Sequence, residues 1–210
     1  DAVTLIFVTG RDLPFVRALA QAGIPRPDYV IGDVGTTIAG GGALEPLPEL
    51  ENHIARAWDG AGPRIRDLLK DEPGLTLQET PFRYRVSYYY QPDRLRPSAR
   101  HKVETAGFDS LVSANRFFDV LPRGISKGPT LIHLITHLGI PEHDVLVAGD
   151  TLNDLSLFDT PYAGVAVGNS EIALLAQIAS RPNVYRSPEP GAAGIADAIA
   201  QFGFMREGDQ

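Results

Sequence analysis

Apolar residues in this chain follow two rhythms. Toward both ends they form short unbroken runs: "VTLIFV" (3–8), "DYVIG" (28–32), "DVLVAGD" (144–150) and "AGVAVG" (163–168). Between the runs, apolar residues recur at helical spacing. "DLPFVRALAQAG" predicts a helix with Asp12 as N-cap, closing at Gly23. "SKGPTLIHLITHLGI", the helix start "LNDLSLF", "SEIALLAQIA" with Ser170 as its cap, and "AGIADAIAQF" continue the pattern. Continuous apolar strands alternating with helices predict an α/β fold, a Rossmann-like parallel sheet covered on both faces.

The middle breaks this rhythm. "GTTIAGGGALEP" (35–46) leads into one long helix containing Trp58, and "AGGGA" reads as a flexible linker. "LTLQET", "YRVSYYY", a helix near 94–105, "DSLVSA" and "FFDVLP" follow. These strands alternate by residue type, as half-exposed antiparallel strands do. Tyr84, Val86, Tyr88 and Tyr90 share one face, and Arg83, Arg85, Ser87 and Tyr89 the other. Residues 45–122 are therefore expected to form an inserted α+β cap domain with one polar, basic face. The core is expected at 1–44 and 123–210.

Hydrophobic residues make up 43% of the 210, enough for a packed core. A net charge of -7 argues against a nucleic-acid partner. No apolar run reaches the roughly 20 residues needed to cross a bilayer, so no membrane association is expected. The absence of cysteine excludes disulfides, thiolate catalysis and cysteine-zinc sites, and fits a cytoplasmic protein.

Ligands of open parallel sheets bind beyond the carboxyl ends of the strands. Three polar signals fall there. "VTGR" offers Thr9, Gly10 and Arg11; "GISKGP" offers Ser126 and Lys127; "AGDTLND" offers Asp150, Thr151, Asn153 and Asp154. Together they supply what phosphate and magnesium need. The hydroxyl and helix-start amides hydrogen-bond phosphoryl oxygens. The lysine neutralises growing charge, and the carboxylate pair suits a hard, oxygen-loving cation. Each signal also has a plainer account: a helix cap for the aspartates, a turn-closing hydroxyl for Thr9, a surface lysine for Lys127. Their joint occurrence, in this order and on these element ends, favours the chemistry.

Other signals carry less. His133 and His137 stand i, i+4, but the glutamate of a zinc-peptidase helix is missing, so a helix-surface pair is expected. "AGGGA" lacks the Gly-Lys-Ser/Thr ending of a P-loop. Tyrosines 88–90 read as half core and half binding wall.

The motifs resemble those of the haloacid dehalogenase-type phosphohydrolase superfamily. "FVTGR" resembles its second motif, "SKG" its third and "GDTLND" its fourth, with "GVAVGNS" following. "PDYVIGDVGTTI", "YRVSYYY", "LVSANRFFDVLPRGISKG" and "AGIADAIAQFGF" are similar to sucrose-phosphate phosphatases. The resemblance implies a phosphatase acting through an aspartyl-phosphate, with Mg²⁺ as cofactor. By it, Thr9 and Gly10 bind the transferring phosphoryl group, and Lys127 pins the phosphate and the nucleophile. Asp150 and Asp154 ligate the metal and Asn153 supports their loop. Arg85, Asn115, Arg116 and Ser126 face the sugar. Arg85 and Arg116 fall where those enzymes place a lysine, and Asn115–Arg116 replaces a Gly-Lys pair.

The superfamily's first motif, Asp-x-Asp-x-Thr, is absent from the 210 residues. The chain opens on Asp1, its only methionine is Met205, and strand-like sequence begins almost at once. The expectation is a chain whose beginning has been removed, with the nucleophile one strand-helix unit upstream, on the order of 30 residues. The 210 residues alone are then expected to be inactive. The expected substrate is a disaccharide phosphate such as sucrose 6-phosphate; glucosylglycerol phosphate and mannosyl-glycerate phosphate are alternatives. A non-catalytic sugar-phosphate-binding domain fused to or associated with a glycosyltransferase, and a phosphomutase, are the rival classes.

Overall fold

Residues 3–204 are described in the computed structural model of the chain. The chain divides into two compact units after Leu131, inside a helix that runs Lys127–Leu138.

The first unit opens with β1 (Ile6–Val8) and α1 (Leu13–Gln21). Asp12 caps α1 as its position predicts: its Oδ1 accepts from the Phe15 amide at 3.1 Å. β2 (Tyr29–Gly32) returns parallel to β1. Leu13 and Val16 of α1 pack with Val30, Ala39 and Leu44.

The segment expected to be a linker is part of the sheet. β3 (Thr37–Gly40) runs antiparallel to β2 and hairpins into β4 (Glu45–Pro46). Every residue of β3 is buried. Gly40 pairs across from Tyr29, whose ring lies 2.8 Å from where a Cβ would stand. The glycine is a seat for that ring, not a sign of flexibility.

The cap-like part follows. The single helix expected around Trp58 is two, α2 (Pro48–Trp58) and α3 (Gly62–Leu69). Asp59 and Gly60 break it, both at positive φ (47° and 64°). The antiparallel sheet is ordered β5 (Leu75–Leu77), β6 (Val86–Tyr90), β8 (Phe117–Pro122), β7 (Phe108–Ser113), with α4 (Pro97–Thr105) before β7. Tyr84, Val86, Tyr88 and Tyr90 all join one core with Trp58, Ile65, Leu69, Phe108 and Phe118. The alternation therefore set the register of β6.

The helix spanning the unit boundary is α5 (Lys127–Leu138). The second unit holds three parallel strands in the order β11 (Val184–Arg186), β10 (Ala163–Ala166), β9 (Leu146–Gly149). The helices α6 (Leu155–Phe158), α7 (Ile172–Gln177) and α8 (Gly191–Phe202) accompany them. Ser170 does not cap α7. Its hydroxyl donates backward to the Val167 carbonyl, and Glu171 stands at the cap position. No helix among the described residues is long and apolar enough to cross a membrane.

Candidate active site

In the first unit the site is built around a strained turn. β2 ends at Gly32, and Asp33, Val34 and Gly35 follow with φ of 52°, 61° and 103°. For Val34, β-branched and 3% exposed, such a backbone costs on the order of 1–3 kcal/mol. The turn persists because it is held from both sides. The Asp33 amide donates to the Arg11 carbonyl at 2.9 Å and the Val34 amide to the Thr9 carbonyl at 3.1 Å. The Thr9 amide in turn donates to Ile31 at 2.8 Å. The Thr9 hydroxyl accepts from the Arg11 amide at 3.1 Å, closing its own turn while keeping its proton to donate.

The other side of the turn backs onto the start of α5. A Cβ at Gly35 would stand 2.4 Å from the Ser126 carbonyl carbon and 2.7 Å from the Lys127 nitrogen. The Thr130 hydroxyl donates to the Gly35 carbonyl at 2.7 Å. Lys127 is 3% exposed, so its ammonium sits in a water-poor setting where charge acts strongly. One turn thus touches both the Thr9–Arg11 segment and the Ser126–Lys127 segment.

Arg85 is buried among carboxylates. Its Nη1 donates to Asp119 Oδ1 at 3.1 Å, and its Nη2 to Asp33 Oδ1 at 3.3 Å and the Gly10 carbonyl at 3.1 Å. Phe82 covers the guanidinium face, with 3.6 Å from the guanidinium carbon to the ring centroid. The Ser87 hydroxyl also donates to Asp119, and Thr37 to Asp33 Oδ2 at 2.7 Å. Burial pushes both aspartates above the usual carboxylate range, against the pull of Arg85, and pushes Arg85 down. The strand face expected to be basic is therefore charge-balanced at this end. Arg83 beside it forms a two-pronged pair with Glu51 at 2.6 and 2.9 Å.

Asn115 and Arg116 lie on the exposed β7–β8 turn. Arg116 stands 5.2 Å from the Tyr89 ring and 5.5 Å from the Phe117 ring, and Asn115 accepts from the Tyr90 hydroxyl at 3.2 Å.

In the second unit, Asp150 and Asp154 follow the carboxyl end of β9. Thr151 and Asp154 form a capping box around the short helical turn Leu152–Asp154. Asp154 Oδ2 accepts from the amides of Asp150 and Thr151, each at 3.1 Å. Gly149 makes room for it, since a Cβ there would stand 2.5 Å from Asp154 Cβ. Asn153 Oδ1 accepts from Thr151 at 2.9 Å. Two residues missed in the sequence complete the loop. Asn169 donates to Asp150 Oδ2 at 3.2 Å, and Glu171 Oε2 accepts from the Leu152 amide at 2.9 Å. "GVAVGNS" contained the first, but nothing in its spacing marked that contact. Among the described residues no group of three or more His, Cys, Asp or Glu gathers as a metal site. Two oriented carboxylates nonetheless fit Mg²⁺, which keeps several waters and binds one or two carboxylates plus phosphate.

With parallel strands in both units and an antiparallel cap-like sheet, the chain has the fold of the haloacid dehalogenase-type phosphohydrolases. The X-ray structure of the sucrose-phosphatase from Synechocystis sp. PCC6803, in complex with sucrose and phosphate, superposes with a TM-score of 0.85 at 22% identity, covering 98% of this chain and 100% of that one. The sequence model of the Sucrose-6F-phosphate phosphohydrolase family matches residues 1–203, and the chain belongs to that family. A glucosylglycerol-phosphate synthase from Pseudomonas anguilliseptica is 36% identical over 97% of this chain, and a probable sucrose-phosphatase from Arabidopsis thaliana 31% over 94%. The chain spans 27% and 50% of the length of these two relatives.

Proposed function

We propose that this chain is the phosphatase part of an enzyme that hydrolyses the phosphate monoester of a small glycoside, sucrose 6-phosphate being the first assignment. The observation that carries it is the single turn, Asp33–Gly35, that touches both the Thr9 segment and the Lys127 segment. Family membership supports it. Residues 1–44 and 123–210 would act as core and 45–122 as cap.

Thr9 and Gly10 hydrogen-bond the phosphoryl oxygens, and Lys127 neutralises charge that grows on them. An aspartate that is not among the site residues described here attacks phosphorus, the sugar oxygen leaves, and water hydrolyses the aspartyl-phosphate. Asp150 and Asp154 would hold Mg²⁺, with Asn153 steadying their loop; the ion would supply further charge neutralisation. Asn115, Arg116 and Ser126 contact the sugar.

A second substrate, glucosylglycerol phosphate, is favoured by the 36% identity to a glucosylglycerol-phosphate synthase. It brings with it fusion to, or association with, a glycosyltransferase.

The test is phosphate release by the complete natural protein from both esters. Lys127→Ala and Asp150→Ala should each lower kcat on the order of 10²–10³-fold, the cost of removing one preorganised electrostatic group. Near-normal turnover in either variant would sink the assignment.

A further inference from the structure

We propose that the left-handed turn Asp33–Gly35, clamped by Arg85, sets the position of the Thr9–Arg11 and Ser126–Lys127 segments, which makes Arg85 a positioning residue and not a sugar contact. The inference deepens the phosphatase reading and rests on it for its kinetic consequence.

The geometry gives Arg85 little to offer a substrate. It is 6% exposed, donates to two carboxylates and a carbonyl, and has its flat face covered by Phe82. What it touches is informative. Gly10, whose carbonyl it binds, directly follows Thr9. Asp33, which it also binds, is the first residue of the strained turn. A strained backbone of this kind survives only where its surroundings over-determine it. Here the Asp33 and Val34 amides bind the Thr9–Arg11 carbonyls, Thr37 binds the Asp33 carboxylate, and Thr130 binds the Gly35 carbonyl. Arg85 is the only one of these partners that grips the turn and the Thr9–Arg11 segment at once. Asp119 and Ser87 fix Arg85 from the cap-sheet side. Removing the guanidinium leaves two buried carboxylates without their counter-charge, and the turn loses its clamp.

Two consequences follow. First, the phosphoryl-binding groups lose their alignment, which affects the chemical step more than sugar binding. A displacement near 1 Å costs about 10²-fold in rate. Second, the amides of Asp33 and Val34 open to solvent more often.

The experiment has two arms. In the complete natural protein, kcat and KM are measured for Arg85→Met and Arg85→Lys with the sugar phosphate the parent turns over. The expected result for Arg85→Met is a kcat about 10²-fold lower with KM within a few-fold of the parent, partly restored in Arg85→Lys. A raised KM with unchanged kcat would make Arg85 a sugar contact, and no change in either would leave the turn independent of it; both overturn the proposal. In the second arm, amide hydrogen exchange at Asp33 and Val34 is compared in the complete natural protein and its Arg85→Lys and Arg85→Met forms. Exchange at least about tenfold faster at these amides than at Ile65 and Leu134 supports the clamp. Uniform or unchanged exchange overturns it. If the parent hydrolyses no sugar phosphate, the functional reading fails while the exchange arm still decides the clamp. If Arg85→Met does not fold, Arg85→Lys carries both arms.

Discussion

Gly35→Ala tests how tightly the turn is built. At φ 103° a side chain is strained whatever the space around it, at a cost on the order of 1–3 kcal/mol. The space is also absent. The new Cβ would stand 2.4 Å from the Ser126 carbonyl carbon, where ordinary contact begins at 3.4 Å, so backbone must move by about 1 Å. Overpacking of this kind typically costs about 1–3 kcal/mol more. The sum, about 2–6 kcal/mol, is a large part of the roughly 5–15 kcal/mol that holds a domain folded. Urea unfolding measures it as a shift in midpoint at unchanged slope. Gly23→Ala is the control. Its φ is 79°, yet nothing lies within 4 Å of the new Cβ, so it carries the conformational cost alone. Equal losses in the two variants would refute the packing of Gly35 against α5. A loss below about 1 kcal/mol at Gly35 would refute the strain as well.

Tyr88→Phe should stabilise the chain by about 1–3 kcal/mol. The Tyr88 hydroxyl is buried without a hydrogen-bond partner, and burial pushes its pKa up to about 12; a lower urea midpoint in the variant would contradict this. Asp119→Asn should change the pH profile of stability. Burial raises the Asp119 pKa above 3.8, so the folded chain holds this proton more tightly than the unfolded chain. Its contribution therefore falls as pH rises from 3.8 through the folded value. The stability of the variant relative to the parent should climb as pH rises above 3.8, and a flat or falling difference in thermal midpoints would count against it.

Local signals were legible in the sequence and distant ones were not. Asp12 announces α1 because a cap acts within three residues. The Tyr84–Tyr90 alternation gave the buried face of β6 because its period is two. β3 was hidden because Ala39 and Gly40 have the composition of a linker, and only Tyr29 across the sheet explains the glycine. The break after Trp58 was written in Asp59–Gly60, a turn pair that helical periodicity masked. β11 is three residues long, too short for any periodic signal. In the site, the i, i+4 spacing of Asp150 and Asp154 at a strand end could be read directly. The surroundings of Arg85 could not, since its partners lie 34, 52 and 75 residues away in sequence.

The turn in the first unit and the Asp150–Asp154 loop in the second follow one building rule. In each, a glycine leaves room that a Cβ would take from a close neighbour. Gly35 lets a strained turn lie against the backbone of Ser126 and Lys127, and Gly149 lets the Asp154 carboxylate fold back onto the amides of Asp150 and Thr151. Backbone carbonyls and amides near the ends of β1, β2 and β9 take part in both, together with the side chains of Arg85, Thr130, Asn169 and Glu171. Such anchoring suits phosphoryl transfer, where little covalent chemistry is asked of the protein and rate depends on where charges stand. It also separates two kinds of residue. Thr9 and Asp150 follow the ends of β1 and β9, whereas Asn115 and Arg116 sit on an exposed turn between β7 and β8. Under the proposed function, a change of sugar is expected to come from substitutions on that turn, with Thr9 and Lys127 kept. This is the division expected of a family that keeps one reaction and varies its substrate.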